Sequence, residues 1–440
     1  MSLTEAVSSI LPSVLADLRR LIAIPSVSSL PEHDDDVIAA AELVADLLRA
    51  EGCPDVRLLT AGGKPAVYGH YPAPEGAPTV LLYAHYDVQP TGDETIWTTP
   101  AFNPTERDGR LYARGSADDK GGIAVHLGAM RAFGGKPPVG VKIFVEGEEE
   151  IGSPSMPALL DQAGDLLRAD AFVIADAVNW KVGEPALTAS LRGVVDAVVR
   201  VSTLEGGLHS GQFGGVAPDA LSALCRLLAT LHDDQGNPAI AGLFSAPPAE
   251  VDYEEDRLRA EAGLLDGVHW IGEGSFTDRM WTKPAVSVLA IDATPVRDAS
   301  NTLVPTARAK VSVRIAPNQD PADAEAALRD HLLSHAPWGA RVEVEAGQSG
   351  AGAAISLDSD IARAALDGLR EGFGVEPVRI GTGGSIPIVA EFADRNPGAP
   401  ILLTAVVDPT SRMHSDNESL DLADLGKATL AEALFLQKLV

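Results

Sequence analysis

The feature that most constrains the fold is Val141–Ser153, where an apolar run passes directly into consecutive glutamates. The run Val141–Val145 is apolar except for one lysine, a pattern typical of an interior strand of an α/β sheet. Gly147 ends the run, and the carboxylates of Glu148–Glu150 follow it. Ligands of open α/β sheets bind beyond the carboxyl ends of the strands. The segment therefore indicates either a ligand site at a strand end or, more simply, a solvated acidic loop.

Other predicted strands also end in side chains that bind metal ions. His85 and Asp87 lie at the end of the apolar strand Thr79–Asp87, where alternate residues face the same side. One of them can bind a metal ion while the other orients it, although a structural role is equally compatible with the pattern. Asp176 ends the apolar strand Ala171–Asp176 and is a further candidate.

Two polar loops add candidates of the same chemical type. Asp118 lies in a glycine-flanked loop before a predicted helix, Ile123–Phe133, where it can bridge two cations or cap the helix. His414 lies in a polar loop after the predicted strand Ile401–Val407. Nitrogen and carboxylate ligands without a thiol suit Zn²⁺ or Mn²⁺. The candidates together therefore predict a metal site at the strand ends.

Length and composition narrow the function classes. A chain of 440 residues is too long for one simple core, which favours two domains. The formal net charge of −28 argues against nucleic acids and anionic membranes as partners. Cys53 and Cys225 form no CxxC pair, so we expect no disulfide framework and a cytoplasmic location. Neither a signal peptide nor a membrane span is predicted.

The order of predicted elements divides the chain in two. Residues 1–189 and 351–440 alternate helices and strands, beginning with a helix over residues 3–22 that Pro12 is expected to interrupt. Residues 190–350 have the β-α-β-β-α-β order of an α+β domain, with a surface insertion over 234–283 and a return linker over 348–356. The expected fold is an α/β catalytic domain with an inserted α+β domain.

Seven short motifs are spread over nearly the whole chain: HYDVQP, GSADDKGG, EGEEEIGS, IAD, LHSGQFGG, NTLVP and HSDNES. In this order they resemble the M20 family of di-metal peptidases, and most of all its carnosinase-like dipeptidase branch. The resemblance implies an aminopeptidase-like mixed-sheet domain with an inserted lid domain that forms a homodimer. It also implies two divalent metal ions per chain, with Zn²⁺ expected first and Mn²⁺ or Co²⁺ as alternatives.

By the same resemblance, five residues hold the two metal ions. Asp118 bridges them, His85 and Asp176 complete one site, and Glu150 and His414 complete the other.

Two further residues receive catalytic roles from the resemblance. Glu149 matches the general base, which takes a proton from a metal-bridged water and delivers it to the leaving amine. Asp87 matches the residue that supports the histidine ligand. The three glutamates leave the register ambiguous by one, and Glu149 is chosen because the following Ile151–Ser153 then fits the family's pattern.

The resemblance also implies a set of substrate-binding residues. His209 matches a histidine that reaches into the partner subunit's site, and Arg314 matches an arginine that holds the substrate's carboxylate. Asn301 matches a neighbouring substrate ligand. Gly384 and Ser385 belong to a glycine-rich loop whose backbone amides can bind an anion. Without the resemblance, each of them fits an ordinary structural role.

The expected function is therefore hydrolysis of dipeptides or small peptides with a free C-terminal carboxylate. Within the same fold, the alternative is a deacylase of N-acyl amino acids, since that substrate also carries a carboxylate. An alternative of another class is a metal-dependent peptide binder without catalysis. Glu149 argues against that alternative, because a binder needs no proton-transfer group beside the metal ions.

Overall fold

The computed structural model describes residues 1–384 and 386–440 and divides the chain into two compact units. The first comprises Met1–Ala189, Ile355–Ile380 and Pro387–Val440, and the second comprises Ser190–Ala354 and Gly381–Ile386. The division differs from the predicted domain boundaries at residues 351–354 and 381–386, which belong to the second unit.

Helices and strands follow one another along both units. The helices are α1 (Leu3–Ile22), α2 (Asp34–Ala50), α3 (Lys120–Ala132), α4 (Met156–Ala163), α5 (Ser210–Phe213), α6 (Ala220–Ala229), α7 (Glu255–Ala262), α8 (Pro321–Ser334), α9 (Asp360–Phe373), α10 (Pro387–Arg395) and α11 (Leu422–Gln437). The strands are β1 (Asp55–Leu59), β2 (Ala66–Tyr71), β3 (Thr79–His85), β4 (Thr105–Arg107), β5 (Arg110–Tyr112), β6 (Gly140–Glu146), β7 (Ala171–Ile174), β8 (Ala186–Leu191), β9 (Gly193–Ser202), β10 (Leu208–His209), β11 (Ala285–Asp292), β12 (Thr302–Leu303), β13 (Thr306–Ile315), β14 (Arg341–Gly350), β15 (Ala353–Ala354), β16 (Val378–Thr382), β17 (Ile401–Leu403) and β18 (Ser419–Asp421).

The main sheet of the first unit runs in the order β1-β2-β6-β3-β7-β17-β8. Strands β6, β3, β7 and β17 are parallel neighbours, whereas β2 pairs with β6 antiparallel. The glutamate segment's strand, β6, is buried between β2 and β3, so the predicted interior strand and the α/β class are confirmed. Because β6, β3 and β7 are parallel and adjacent, their carboxyl ends lie together at one edge of the sheet.

The predicted interruption of the first helix is wrong. Helix α1 continues through Pro12, which has no amide proton to donate to the carbonyl of Ser8. Both residues are exposed, so water can satisfy that carbonyl. The inner face of the helix, with Val14 and Leu18, stays buried in the core of the first unit and holds the helix across the proline.

The second unit is built on an antiparallel sheet in the order β11-β13-β9-β14. One face of this sheet packs its apolar side chains against helices α6 and α8. The predicted β-α-β-β-α-β order is confirmed. The opposite face carries polar side chains, among them Arg314, and Lys310 with its ion-pair partner Asp196.

Two predicted irregular segments are ordered instead. The expected linker over 348–356 contains the end of β14 and all of β15, because Gly347 gives Asp196 room to accept a hydrogen bond from the amide of Gln348 at 2.9 Å. The expected surface insertion over 234–283 contains α7 and buries Leu258 and Trp281. Among the described residues, no helix is long and apolar enough to cross a membrane.

The contact between α9 and α11 provides a test of the packing in the first unit. A Cβ atom added to Gly372 would lie 2.8 Å from both the Cβ and the backbone nitrogen of Ala431, which cannot move aside without shifting α11. We expect Gly372→Ala to lower the free energy of unfolding by about 1–3 kcal/mol, as measured by urea denaturation, because overpacking outweighs the helix propensity of alanine.

The matched control is Gly426→Ala in α11. The nearest atom to its added Cβ is the flexible end of the Leu11 side chain, at 2.9 Å. This variant should unfold at the same urea concentration as the original chain or a higher one. Equal destabilisation by both changes would contradict the close packing of α9 on α11.

Candidate metal centre

The candidate site lies beyond the carboxyl ends of the three adjacent parallel strands. Strand β3 ends at His85, β7 is followed by Asp176, and β6 leads into the turn that carries Glu149 and Glu150. Asp118 lies two residues before the first residue of α3. The fold thus brings residues that are far apart in the chain to one edge of one sheet.

The first group of potential ligands consists of His85, Asp118 and Asp176. Their ligand atoms all lie within 4.8 Å of one another. Nε2 of His85 is 3.2 Å from Oδ1 of Asp118 and 4.0 Å from Oδ1 of Asp176. His85 is fully buried, so its ring can serve only this cluster.

The second group shares Asp118 and adds Glu150 and His414, again within 4.8 Å. Nε2 of His414 is 3.0 Å from Oδ2 of Asp118 and 3.2 Å from Oε2 of Glu150. The two oxygens of Asp118 therefore face different groups, an arrangement that allows one carboxylate to bridge two cations. All five residues predicted as metal ligands meet in these two groups.

Asp87 connects the histidine strand to the glutamate turn. Its backbone oxygen accepts a hydrogen bond from Nδ1 of His85 at 3.0 Å, which leaves Nε2 free to bind a metal ion. Its carboxylate accepts hydrogen bonds from the backbone amides of Glu149 and Glu150 at 3.3 and 3.1 Å. One buried aspartate thus orients a ligand and holds the turn that carries the other candidates.

The carboxylates carry more negative charge than the protein groups around them neutralise. Burial and the surrounding carboxylates raise the pKa of Glu149 to about 7. Burial and the charge of Glu149 raise the pKa of Asp176 well above its ordinary value. The buried Oδ1 of Asp119 has no hydrogen-bond partner among the described residues. Such a cluster of oxygen and imidazole donors fits divalent cations, which would supply the missing positive charge.

The two histidines respond to the same negative charge. Hydrogen bonds to Asp118 and Glu150 raise the pKa of His414 to about 10. Burial disfavours a charged His85 ring, but hydrogen bonds to Asp118 and Asp87 outweigh it and raise its pKa well above the ordinary value. Burial opposes ionisation of Asp118, yet hydrogen bonds from both histidines hold its pKa below the usual range.

Sequence reasoning missed a buried ion pair that braces two of the ligand loops. Glu418 accepts hydrogen bonds from the backbone amides of Ala117 and Asp118 at 2.9 and 3.1 Å. It also pairs with Arg114 at 2.8 Å, and that arginine donates to the backbone oxygen of Ser415, next to His414. Glu418 follows His414 closely in the sequence, but no local pattern indicates that its partners lie some 300 residues away.

The remaining glutamates of the segment have structural partners. Glu148 accepts hydrogen bonds from the amides of Lys64 and Ser155 at 2.9 and 3.2 Å. Glu146 accepts hydrogen bonds from Tyr83 and from the hydroxyl of Ser153. Among the described residues, the carboxylate of Glu149 makes no such bond and stays available beside the two groups.

The predicted substrate-binding residues lie in the second unit. His209 pairs with Thr302 through β10 and β12, and the backbone oxygen of Asn301 accepts a hydrogen bond from Ser210, so His209 and Asn301 are neighbours. Arg314 projects from β13 and has no ion-pair partner among the residues described.

The predicted glycine-rich loop is described only in part. The amide of Gly384 contacts the hydroxyl of Thr382 at 3.5 Å, and Ser385 lies outside the described residues.

Comparison with known proteins finds dipeptidases that are similar to this chain in sequence and in structure. The cysteinylglycine-S-conjugate dipeptidase of Corynebacterium striatum is 36% identical over 432 residues, covering 96% of this chain and 94% of that protein. The β-Ala-His dipeptidase of Rattus norvegicus is 29% identical, covering 92% and 88%. The solved structure of the di-peptidase Dug1p from Saccharomyces cerevisiae superposes with a TM-score of 0.83 at 25% identity, covering 99% and 98%.

The comparisons agree with the predicted aminopeptidase-like architecture, and the family implies divalent metal ions at the clustered ligands. A model of the peptidase family M20/M25/M40 matches residues 81–438, which span both units and every candidate metal ligand. This chain therefore belongs to the peptidase family M20/M25/M40.

Proposed function

We propose that this chain is a metal-dependent exopeptidase that hydrolyses dipeptides and small peptides with a free C-terminal carboxylate. The observation that carries the proposal is the pair of ligand groups that share Asp118, with the carboxylate of Glu149 beside them and free of hydrogen bonds to the described residues. The dipeptidase names of the similar proteins support the substrate class.

Five residues would hold two divalent metal ions: His85, Asp118 and Asp176 on one side, and Asp118, Glu150 and His414 on the other. When bound, such ions supply an acidified water and polarise the scissile carbonyl. Zn²⁺ is the first candidate, with Mn²⁺ or Co²⁺ as alternatives, because each accepts imidazole and carboxylate ligands.

Glu149 acts as general base and then as general acid. Its carboxylate takes a proton from the attacking water and delivers that proton to the leaving amine. The turn that carries it is fixed by the two backbone hydrogen bonds to Asp87. A fixed backbone with a free carboxylate suits a group that must meet water, substrate and product in turn.

His209 and Arg314 complete the proposed substrate contacts. Nδ1 of His209 accepts a hydrogen bond from the amide of Gly211 at 3.1 Å, so the neutral ring carries its proton on Nε2. The exposed His209 can therefore donate that proton to an oxyanion. Within the part of the chain that the structure describes, the guanidinium of Arg314 has no ion-pair partner, and it fits a carboxylate in two-point contact. Asn301, Gly384 and Ser385 are proposed as further substrate contacts.

A homodimer would form through the β11 edge of the second unit's sheet. Strand β11 is an edge strand whose apolar residues Val288, Leu289 and Ile291 are exposed. The opposite edge, β14, carries Arg341, Glu343 and Glu345 instead, which discourage strand pairing. In the proposed homodimer, β11 of one protomer pairs antiparallel with β11 of its partner, so that two-fold symmetry covers both edges.

The purified protein should contain about two divalent metal ions per chain by elemental analysis. A chelator should abolish hydrolysis of Ala-Ala, and added Zn²⁺ or Mn²⁺ should restore it, because the cluster supplies ligands but no other electrophile. N-acetyl and N-succinyl amino acids serve as comparison substrates. Turnover confined to the acylated substrates, or Ala-Ala turnover that survives complete metal removal, would contradict the proposal.

Glu149→Gln should lower kcat for Ala-Ala by roughly 10²–10⁴ while leaving both metal ions bound, because the amide cannot carry the proton. The matched change is Glu150→Gln next to it, which should release one metal ion by removing a ligand. Steady-state kinetics and metal content are measured on both variants. Unchanged turnover in Glu149→Gln would mean that another residue is the general base.

Leu289→Asp combined with Ile291→Asp should convert the homodimer to a monomer in sedimentation equilibrium, because charges on β11 prevent strand pairing. The control is Glu343→Lys on the opposite edge, which should remain dimeric. A dimeric double variant, or a monomeric unmodified chain, would contradict the β11 interface.

The same dimer allows a test of His209. His209→Ala and Glu149→Gln should each be inactive alone, since each destroys both sites of a homodimer. Co-expressed chains should recover about a quarter of the original activity, because half the dimers are mixed and each mixed dimer regains one complete site. If the co-expressed chains recover no activity, His209 acts in the site of its own chain or has no role in catalysis.

A further inference from the structure

A cavity lies within the second unit. It has a volume of about 570 Å³ and is bordered by the segment from His232 to Val286. Its polar wall includes Arg192, Arg279 and Lys283, and its apolar wall includes Ile240, Leu243 and Met280. The proposed function assigns no role to this cavity.

Arg192 is the buried cation of this cavity. Only 9% of the residue is exposed, yet its Nε atom has no hydrogen-bond partner within the described part of the chain. Its Nη1 atom donates to the backbone oxygens of Arg279 and Lys283 at 3.2 and 3.4 Å. No carboxylate of residues 1–384 or 386–440 lies within 4.0 Å of its guanidinium. A buried charge without a counter-ion is costly, so an anion that reaches it is strongly favoured.

The glycine-rich loop leaves room for this guanidinium. A Cβ atom on Gly383 would lie 2.7 Å from Nη2 of Arg192, and one on Gly381 would lie 2.6 Å from the side chain of Trp281. The absence of side chains at these positions therefore lets the loop approach Arg192. The glycine-rich loop, which the sequence predicts to bind an anion, thus lies next to Arg192. The sequence analysis did not predict a role for this arginine.

Besides Arg192, the cavity is lined by two basic side chains, Arg279 and Lys283, and by one carboxylate. The side chain of Arg279 donates to the backbone oxygen of Ile271, and that of Lys283 donates to the backbone oxygen of Glu273. The charge of Lys283 is partly balanced by the nearby carboxylate of Asp278. Glu273 is the acidic residue among those that line the cavity, and it is exposed. Burial and the nearby charge of Arg314 lower the pKa of Arg192 to about 10, so it remains charged at neutral pH.

We propose that this cavity binds a carboxylate other than the C-terminal carboxylate assigned to Arg314, with Arg192 as its main ligand and Lys283 as a second cation. A guanidinium with a free Nε suits a carboxylate, and the apolar wall suits the methylene groups of an acidic side chain. The ligand is a dipeptide with a glutamate residue or a separate dicarboxylate molecule. The first source depends on the proposed dipeptidase activity, whereas the second does not.

The experiment compares the unmodified protein with Arg192→Gln, Arg192→Lys and the control Arg200→Gln, which removes an exposed arginine of β9, the strand that follows Arg192. Values of kcat/KM are measured for Ala-Glu against Ala-Gln and for Glu-Ala against Gln-Ala. For one of these pairs, kcat/KM of the unmodified protein and of Arg200→Gln should be about tenfold higher for the glutamate dipeptide than for the glutamine dipeptide. A tenfold ratio corresponds to the free energy of one charge-assisted hydrogen bond. Arg192→Gln should lose that preference, and Arg192→Lys should retain part of it.

A second arm measures thermal unfolding with and without glutarate and needs no turnover. Glutarate should raise the unfolding temperature of the unmodified protein and of Arg200→Gln but not of Arg192→Gln. Loss of this shift together with an unchanged acid preference identifies a separate dicarboxylate as the ligand. If no dipeptide is hydrolysed, the proposed function fails while the glutarate arm still tests the cavity.

The proposal is overturned if neither the acid preference nor the glutarate shift differs between Arg192→Gln and Arg200→Gln. If Arg192→Gln does not fold, Lys283→Gln replaces it, since that change removes the second cation at a less buried position. A purely structural Arg192 would affect stability but not the ratio between acidic and neutral substrates.

Discussion

The repulsion among the clustered carboxylates is the constraint on which the rest of the first unit depends. Two unit charges 4 Å apart repel by about 4 kcal/mol at the effective dielectric constant of a partly buried site. Asp118, Glu149, Glu150 and Asp176 meet in such a site, and two histidines are their only cationic neighbours in the two ligand groups. Without compensation, the cluster would push the strand ends apart. Divalent cations bound to these ligands would remove that cost and so stabilise the folded arrangement of the site.

The fold holds this cluster together through backbone amides as well as through opposite charges. Asp87 accepts two amide hydrogen bonds from the glutamate turn, and Glu418 accepts amide hydrogen bonds from the loop of Asp118. Both carboxylates are fully buried. Buried hydrogen bonds to charged acceptors are stronger than neutral ones and fix geometry. The ligands are therefore held in place before any metal ion arrives, which lowers the cost of ordering them on binding.

The sequence predicts the parts of the molecule that depend on local pattern. The apolar run before Glu146 predicts β6, and parallel neighbours then require that the ligands following β3 and β7 meet it at one edge. Prediction from the sequence fails where a contact with a distant residue determines the local structure. Pro12 remains in a helix because the opposite face is buried, and Gly347 belongs to a strand because Asp196 occupies the space beside it. Arg192 gives no local signal, since its partners are backbone oxygens about ninety residues away.

The two units contain opposite kinds of unbalanced charge. The first gathers carboxylates that need cations, and the second buries an arginine that needs an anion. Under the proposed function, the carboxylate of a dipeptide would bind Arg314, and its peptide bond would be cleaved at the metal ligands. The formal net charge of −28 would repel such carboxylates from most of the surface. Local cations without acidic partners are therefore the places where an acidic ligand gains most from binding, and Arg192 and Arg314 meet that condition.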